Sequence, residues 1–459
     1  MRCSDDSGQR GTRINDLPED ILCSIVSQLP LQDRVTTSLV CRAWRRLWLS
    51  SSNWRLELQD FRGVSNKKQK FEELVDRVIF FPDRPHIHHL KLVHTDYNRS
   101  SQKASLWIES LLNQQILHLD LNIMDPIPLP LSLFRCDTLV ELRLCLHCDI
   151  ISLPPNAVLL PRLKVLSLQK ARFIDDSLQS LINGCTILVT LKLRECVVVG
   201  PEFLDITIPQ TTLQEVILDK CHFLLDTKLH MSTVNLTTFR YKGLNLGDSM
   251  HYLNVQTSVE MVQLEPVEFH NVYSYSRRLG FSGTYGQNMS RTLASFCNTK
   301  HMILSDWCIE YLTNVPNAMR FPSFMRMESL RLSMWPNGGH VYVTTYLVLF
   351  SPLLRFRSLR ISKAHREGMA DDDRLDYPHP PDLLSTEMIH NNLKKVEIKK
   401  YGVLNAELDL IKFLLRNAVS LEKLSIKWCA RIGASRRKSL RNTIRSYALA
   451  SQNLELYIY

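Results

Sequence analysis

The chain predicts an α/β protein in three parts. A small helical module comes first, then an irregular leucine-rich-repeat solenoid with a curved parallel sheet, then a C-terminal βαβ module that closes it. Three observations predict this. Leucine supplies 73 of 459 residues while glycine supplies only 15. An apolar block, φ-x-x-φ-x-φ with φ apolar, recurs with starts 23 to 25 residues apart between positions 116 and 259, within the ~20–29-residue period of leucine-rich repeats. Helical stripes precede the blocks, and a strand–helix–strand pattern ends them.

The first helix lies in NDLPEDILCSIVSQLP, residues 15–30. Asp16 can cap it, with Glu19 as the reciprocal half of a capping box. Pro18 falls in the first turn, where a missing N–H costs nothing. Ile21, Leu22, Ile25, Val26 and Leu29 form its apolar stripe, and Pro30 stops it. A second stripe, from Val35 to Leu49, uses Leu39, Val40, Ala43, Trp44, Leu47 and Trp48, with Arg42, Arg45 and Arg46 on the wet side. Two helices of about 12–15 residues cannot hide this much apolar surface on each other. The surplus points to a partner; the alternative is that the helices only cap the array.

Leu17-Pro18, Ile21-Leu22, Leu29-Pro30, Asp33, Ser38, Val40-Cys41 and Trp44 resemble, in residue and spacing, an F-box spanning Ile14 to Leu58. That resemblance implies a helical domain that docks on the Skp-type adaptor of a cullin ubiquitin ligase. Carried over by position, the docking face comprises Leu17, Pro18, Ile21, Leu22, Ile25, Leu29, Pro30, Val35, Ser38, Leu39 and Val40. Trp44 and Leu47 would knit the helices together.

The repeat blocks begin at Ile87-Leu90-Leu92 and Ile116-Leu119-Leu121. They continue through Leu139, Leu163, Leu188, Leu213, Leu236 and Val259, with looser copies at Met327, Phe356, Leu393 and Leu421. In φ-x-φ the apolar pair points inward from a short strand and the middle residue points out. One repeat cannot bury its own inner face, so neighbours stack. Small residues at the following turn, namely Cys148, Ala171, Cys196, Cys221 and Cys429, fit a tight interior corner and explain four cysteines without redox chemistry. The outward positions form a mixed polar face that suits a protein substrate: Glu141, Arg143, Ser167, Gln169, Lys192, Arg194, Glu215, Asp219, Arg240 and Lys242.

Two stretches break the period. Phe269, His270, Tyr273, Tyr275, Phe281 and Tyr285 cluster with Arg277 and Arg278, which reads as one over-long repeat; a ligand-gripping loop is the sharper alternative. From Ala364 to Glu387 an acidic, proline-rich run reads as a solvated loop. After it, Val396-Glu397-Ile398, Glu407, Phe413-Leu414-Leu415, Asn417-Ala418 and Leu421-Glu422-Lys423 resemble the FBD domain of plant F-box proteins with leucine-rich repeats. The expected boundaries are 1–13 disordered N-terminus, 14–58 F-box, 59–363 leucine-rich-repeat solenoid, 364–387 acidic proline-rich loop and 388–459 FBD-like module with basic tail.

Charge and chemistry narrow the function. From residue 391 onward there are 14 Lys/Arg against 5 Asp/Glu, a surplus of nine, so the first 390 residues carry only about +1 of the net +10. A nucleic-acid patch in the tail would want stacking aromatics, and Tyr447 alone is thin, so Arg431, Arg436, Arg437, Lys438, Arg441 and Arg445 read as a charged helix face, with nuclear import as the alternative. No apolar run approaches a membrane span, no secretory signal is visible, and twelve cysteines fit reduced thiols in cytosol or nucleus. The sequons at Asn98, Asn235 and Asn288 then carry no weight. Cys145 and Cys148 lack a second pair for zinc, and Asp371 to Asp373 lack the Gly and Glu of a calcium loop. No nucleotide, metalloprotease or nucleophile-elbow motif is present. The sequence therefore reads as a non-catalytic, cofactor-free adaptor that holds an unknown protein substrate. A free-standing repeat scaffold and a small-molecule receptor stay open.

Overall fold

The computed structural model describes residues 14, 17–29, 31–37, 44–47, 52–61, 63–80, 86–94, 102–124, 129–147, 150–154, 156–199, 204–208, 211–223, 227–231, 233–243, 252–253, 259–266, 283–305, 308, 324, 326–334, 357–363, 392–401, 405–429 and 432–459. The chain divides into two compact units, residues 1–172 with 184–186 and residues 173–183 with 187–459.

Unit one opens with helices α1 (Glu19–Gln28), α2 (Leu31–Thr37) and α3 (Trp44–Leu47). Leu22, Val26, Trp44 and Leu47 are buried and join them. Pro18 occupies the cap position of α1 without a side-chain hydrogen bond, so the expected capping box is not the device that starts it; Asp16 lies outside the described residues. Five strands of one ladder follow, with a short strand Ile150–Ile151 beside them: β1 (Asn53–Glu57), β2 (His89–His94), β3 (His118–Ile123), β4 (Glu141–Cys145) and β5 (Val165–Gln169). Along the ladder each pairs in parallel with the next.

Register explains why leucine is so abundant. Trp54, Leu90, Leu119, Leu142 and Leu166 face one another across the ladder, as do Leu56, Leu92, Leu121, Leu144 and Leu168. All ten are buried. Each such side chain is worth ~1.5–3 kcal/mol when fully removed from water, and none could be hidden by its own repeat. Helices α4 (Lys67–Phe80) and α5 (Gln102–Leu112) bury Phe71, Val75, Trp107 and Ile108. Trp107 Nε1 and Lys103 Nζ both donate to the Asp76 carboxylate, at 2.7 and 3.0 Å, and tie the two helices together.

Unit two continues the same logic through ten parallel strands. They are β6 (Thr190–Arg194), β7 (Glu215–Phe223), β8 (Thr238–Gly243), β9 (Met261–Pro266), β10 (His301–Ser305), β11 (Ser329–Met334), β12 (Ser358–Lys363), β13 (Lys395–Tyr401), β14 (Lys423–Trp428) and β15 (Glu455–Ile458). Each pairs with the next. Residues 204–208, 227–231 and 252–253 form a separate three-stranded sheet. Helices α6 (Ser177–Asn183), α7 (Gly283–Ser295), α8 (Asn405–Asn417) and α9 (Ala434–Arg445) connect strands.

The φ-x-x-φ-x-φ pattern does not mark β1, β10 and β15, for one shared reason. The leading φ of their blocks is replaced by Ser51, Thr299 and Asn453. At Thr299 the structure shows the substitute at work: the buried hydroxyl donates to Val259 O at 2.8 Å. The C-terminal module is accordingly longer than one βαβ unit, because α9 and β15 add a further crossover. In α9, Leu440 and Ile444 are buried while Arg436, Lys438 and Arg445 are exposed.

At the turn, Ala171, Cys196 and Cys221 are buried. Each follows a residue with left-handed backbone: Lys170, Glu195 and Lys220, at φ 54°, 51° and 53°. Cys429 is half-buried, Cys148 lies outside the described residues, and Leu146 is the buried residue of that repeat. Residues 267–282 and 364–391, holding most of the aromatic cluster and the whole acidic run, also lie outside; Tyr285 falls in α7.

Candidate functional site

The first candidate surface is the outer side of α1 and α2. Their helical spacing turns Leu22 and Val26 inward and leaves Ile21 46% and Ile25 36% exposed, with Val35 on α2 37% exposed. Pro18 is exposed, and Leu17 and Leu29 are half-buried. Leu22 is the correction to the sequence-derived face: it is 6% exposed and spent on holding α1 in place, so it offers a partner nothing. Pro30, Ser38, Leu39 and Val40 lie outside the described residues.

Arg34 fastens these helices to the sheet of unit one. Its Nε donates to Leu29 O at 3.0 Å, another guanidinium nitrogen to Ser27 O, and Nη1 to Asn53 O at 3.3 Å. The guanidinium lies 5.5 Å from the centre of the Trp54 ring. Burial lowers its pKa from the ordinary arginine value. One side chain thus closes the C-terminus of α1 and reaches β1, which limits movement of the helical module against the first strands.

The second candidate surface is the outward side of the strands. In unit one the middle φ-x-φ positions line up as Arg55, Lys91, Asp120, Arg143 and Ser167, flanked by His89, His118 and Glu141. Around them lies a recess of about 390 Å³, with Arg34 on its rim. The His89 and His118 rings stack at 3.9 Å, and His118 Nδ1 is 3.1 Å from Glu141 Oε2. Burial, then the His118 and His88 charges, depress the His89 pKa. Burial raises the Glu141 carboxyl, but hydrogen bonds from His118 and Arg143 and their charges outweigh it and leave the group below the usual range. Asp120 differs: burial pushes its pKa up, and Lys91 and Arg143 only partly offset that. The recess can therefore hold a polar ligand, with cations, imidazoles and a half-buried acid presented together.

In unit two, Lys192, Arg194, Glu215, Asp219, Arg240 and Lys242 all sit on the outward side, as the alternation requires. Gln169 and Arg143 take the same side in unit one. Many of these charges are paired: Lys192 with Glu215 at 2.8 Å, Lys242 with Glu265 at 3.8 Å, and Arg143 with Glu141. Missed candidates were His89, Lys91, His118 and Asp120 near the start, and Lys395, Lys399, Lys423, Lys427, Tyr457 and Tyr459 near the end. The signal for most was present, since each is the residue before or between the apolar pair of a block.

Among the described residues no cluster of His, Cys, Asp and Glu suits a metal, and no helix is long and apolar enough to cross a membrane. Two of the buried thiols, Cys185 and Cys221, are pushed toward the neutral form. Burial drives Cys185 up to about 12, and a hydrogen bond with Cys196 together with burial raises Cys221 well above its usual value.

Known proteins share this organisation. The F-box domain family matches residues 14–56, LRR repeats described for the FBD-associated F-box protein At5g56370 match 104–258, and the FBD family matches 385–426. The chain is 25% identical over 433 residues to the F-box/FBD/LRR-repeat protein At2g26030 of Arabidopsis thaliana, covering 90% of this chain and 92% of that one. It is 24% identical over 434 residues to F-box/LRR-repeat protein 13 of the same plant, covering 90% and 89%. A shorter stretch of 188 residues is 31% identical to the putative F-box/FBD/LRR-repeat protein At1g16940, covering 39% of this chain and 40% of that protein. F-box proteins generally act as non-catalytic substrate adaptors and bind Skp-type proteins. Family models for the F-box, the LRR repeats and the FBD thus match in this order, and the relatives alike over nine-tenths of this chain's length are F-box/FBD/LRR-repeat and F-box/LRR-repeat proteins of Arabidopsis thaliana.

Proposed function

We propose that this chain is the specificity subunit of an SCF-type cullin ubiquitin ligase. Its F-box docks on a Skp-type adaptor, and the outward strand face holds a protein substrate. The observation that carries the reading is the apolar side chains of Ile21, Ile25 and Val35, left in water on α1 and α2 while Leu22 and Val26 fill the interior. Such a patch on a small helical unit is what a permanent partner covers. No reactive group is required of the chain. Tethering raises the effective concentration of a substrate lysine to about the mM range near the conjugating enzyme, and Arg34 keeps the tether short and stiff. This role goes with a cytosolic or nuclear location.

The test is co-expression of the full chain with a Skp-type adaptor. The two should co-purify, the Ile21→Asp variant should lose the adaptor, and Lys192→Glu should keep it. A chain that purifies alone under all conditions would be a free-standing scaffold instead. A small-molecule receptor is the second reading, favoured by the recess at His89, His118 and Asp120. Screening small polar acids and amines for a thermal shift that Asp120→Asn removes would separate that reading from the first.

A further inference from the structure

The positive surplus of the last 69 residues has a definite place in the fold. In β13 and β14 the outward positions are Lys395, Glu397, Lys399 and Lys423, Ser425, Lys427; in β15 they are Glu455 and Tyr457, with Tyr459 just beyond. Register sets Lys395 beside Lys423 and Lys399 beside Lys427, on strands ~4.8 Å apart. Like charges this close repel unless something negative lies over them.

The neighbouring carboxylates meet that need only in part: Glu455 stands opposite Lys423 in the register, and Glu422, paired with Lys394 at 2.6 Å, also acts on Lys395. Glu397 is taken by Arg360 at 2.6 Å and Lys399 at 3.3 Å. Glu455 accepts the Tyr457 hydroxyl at 2.9 Å. Among the described residues Lys395, Lys423 and Lys427 have no ion pair. Lys423 instead lies 4.6 Å from the Tyr457 ring centre and Lys427 5.7 Å from that of Tyr459, while the two rings stack nearly parallel at 6.2 Å. Cation–π contact holds each lysine extended over a ring. Some of the ordering cost of binding an anion is thus already met in the free protein.

We infer that the outward face of β13, β14 and β15 is a docking surface for an acidic peptide segment of a partner protein, its carboxylates lying on Lys395, Lys423 and Lys427 and its backbone against the tyrosine pair. The inference rests on the reading that this chain presents a protein substrate, and it names the chemistry of that substrate. Charge complementarity argues for a peptide over a nucleic-acid strand. Glu397 and Glu455 interrupt the lysines, so an unbroken line of phosphates would meet negative charge at two rungs, whereas a peptide can place neutral residues there. The tyrosine rings, stacked on each other and capped by lysines, also present little free face to a base.

The test uses the full chain in complex with its Skp-type adaptor and a fluorescent peptide of alternating glutamate and serine. Binding should weaken about tenfold or more in a Lys423→Glu/Lys427→Glu variant and should weaken also in Tyr457→Ala/Tyr459→Ala. Lys70→Glu, an exposed position on α4 outside the outward strand face, should leave it unchanged, and unaltered melting curves should show that the variants fold. The charge-conserving Lys427→Arg should retain binding. Equal affinity for a glutamine–serine peptide, indifference to the lysine reversals, or displacement of the peptide by oligo-dT at matched salt would each overturn the inference, the last in favour of a nucleic-acid surface. If the adaptor does not associate, the peptide titration on the chain alone still reads this surface, so failure here and failure of the ligase reading are told apart.

Discussion

Asp120 sits half-buried at the centre of the recess, on a middle φ-x-φ position that would ordinarily face open water. Burial raises its pKa, Lys91 and Arg143 pull it back in part, and Glu141 and Glu57 oppose them. A carboxyl with a folded pKa above its unfolded one binds its proton more tightly in the native state. Its ionisation therefore costs stability at neutral pH, and the cost disappears as pH falls through the folded value. Asp120→Asn should raise the melting temperature by about 2 °C at pH 7, with the gain shrinking in acid; scanning calorimetry at neutral and acidic pH checks it. A variant no more stable at pH 7 would mean that Lys91 and Arg143 fully offset the burial. Glu141 runs the other way: held below the usual range despite its burial, it contributes stability above the unfolded carboxylate pKa that is lost as pH falls through the folded value.

Elements depend on a few backbone positions whose demands differ in kind. Gly184 leaves no room for a side chain, since an added Cβ would lie 2.7 Å from Val158 Cβ and 2.8 Å from Val158 O. The Gly184 carbonyl also accepts the Leu160 N–H at 2.9 Å, so the backbone there cannot easily retreat. Gly184→Ala should cost about 2 kcal/mol by overpacking, measurable by urea denaturation. Glu195 is the converse. It holds a left-handed φ of 51° with a side chain attached, a conformation that disfavours L-residues by ~1–2 kcal/mol. Glu195→Gly should then stabilise by up to about 1 kcal/mol, while Glu195→Val should destabilise. The same device at Lys170 and Lys220 shows that it belongs to the repeat: the left-handed residue turns the chain so that the next side chain enters the core.

Three surface features set the interactions open to the described residues: apolar area exposed at α1 and α2, mixed charge along the middle strands, and, at β13 and β14, the lysines Lys395, Lys423 and Lys427, which have no ion pair among the described residues. A hot-spot residue in an apolar interface contributes ~2 kcal/mol or more. Ile21→Asp should therefore weaken adaptor binding by about thirtyfold or more, with melting nearly unchanged because the side chain is 46% exposed. Surface plasmon resonance against the adaptor reads the first, calorimetry the second. Peptide binding at β13 to β15 should fall steeply with salt, whereas adaptor binding, being apolar, should fall little.

Most of the ladder was legible because a two-residue alternation repeated every 23 to 25 residues allows no other way to bury so many leucines. The outward candidates followed from the same alternation by arithmetic, as with Lys192 and Arg240. Strands led by Ser51, Thr299 and Asn453 were not legible, because whether a polar residue can stand in an apolar slot depends on an acceptor such as Val259 O, brought from a different repeat. Nor could the sequence say that Leu22 turns inward while Ile21 and Ile25 stay out, since a helical stripe fixes a face but not how deep its partner reaches. The sequence by itself determined the order of the modules, through their motifs, and the inward residues of those strands whose blocks keep all three apolar positions, through periodicity. Tertiary structure decided which charges are paired, as Lys192 is with Glu215, and which, like Lys423 and Lys427, have no ion pair among the described residues, because pairing depends on neighbours that register brings together from distant parts of the chain.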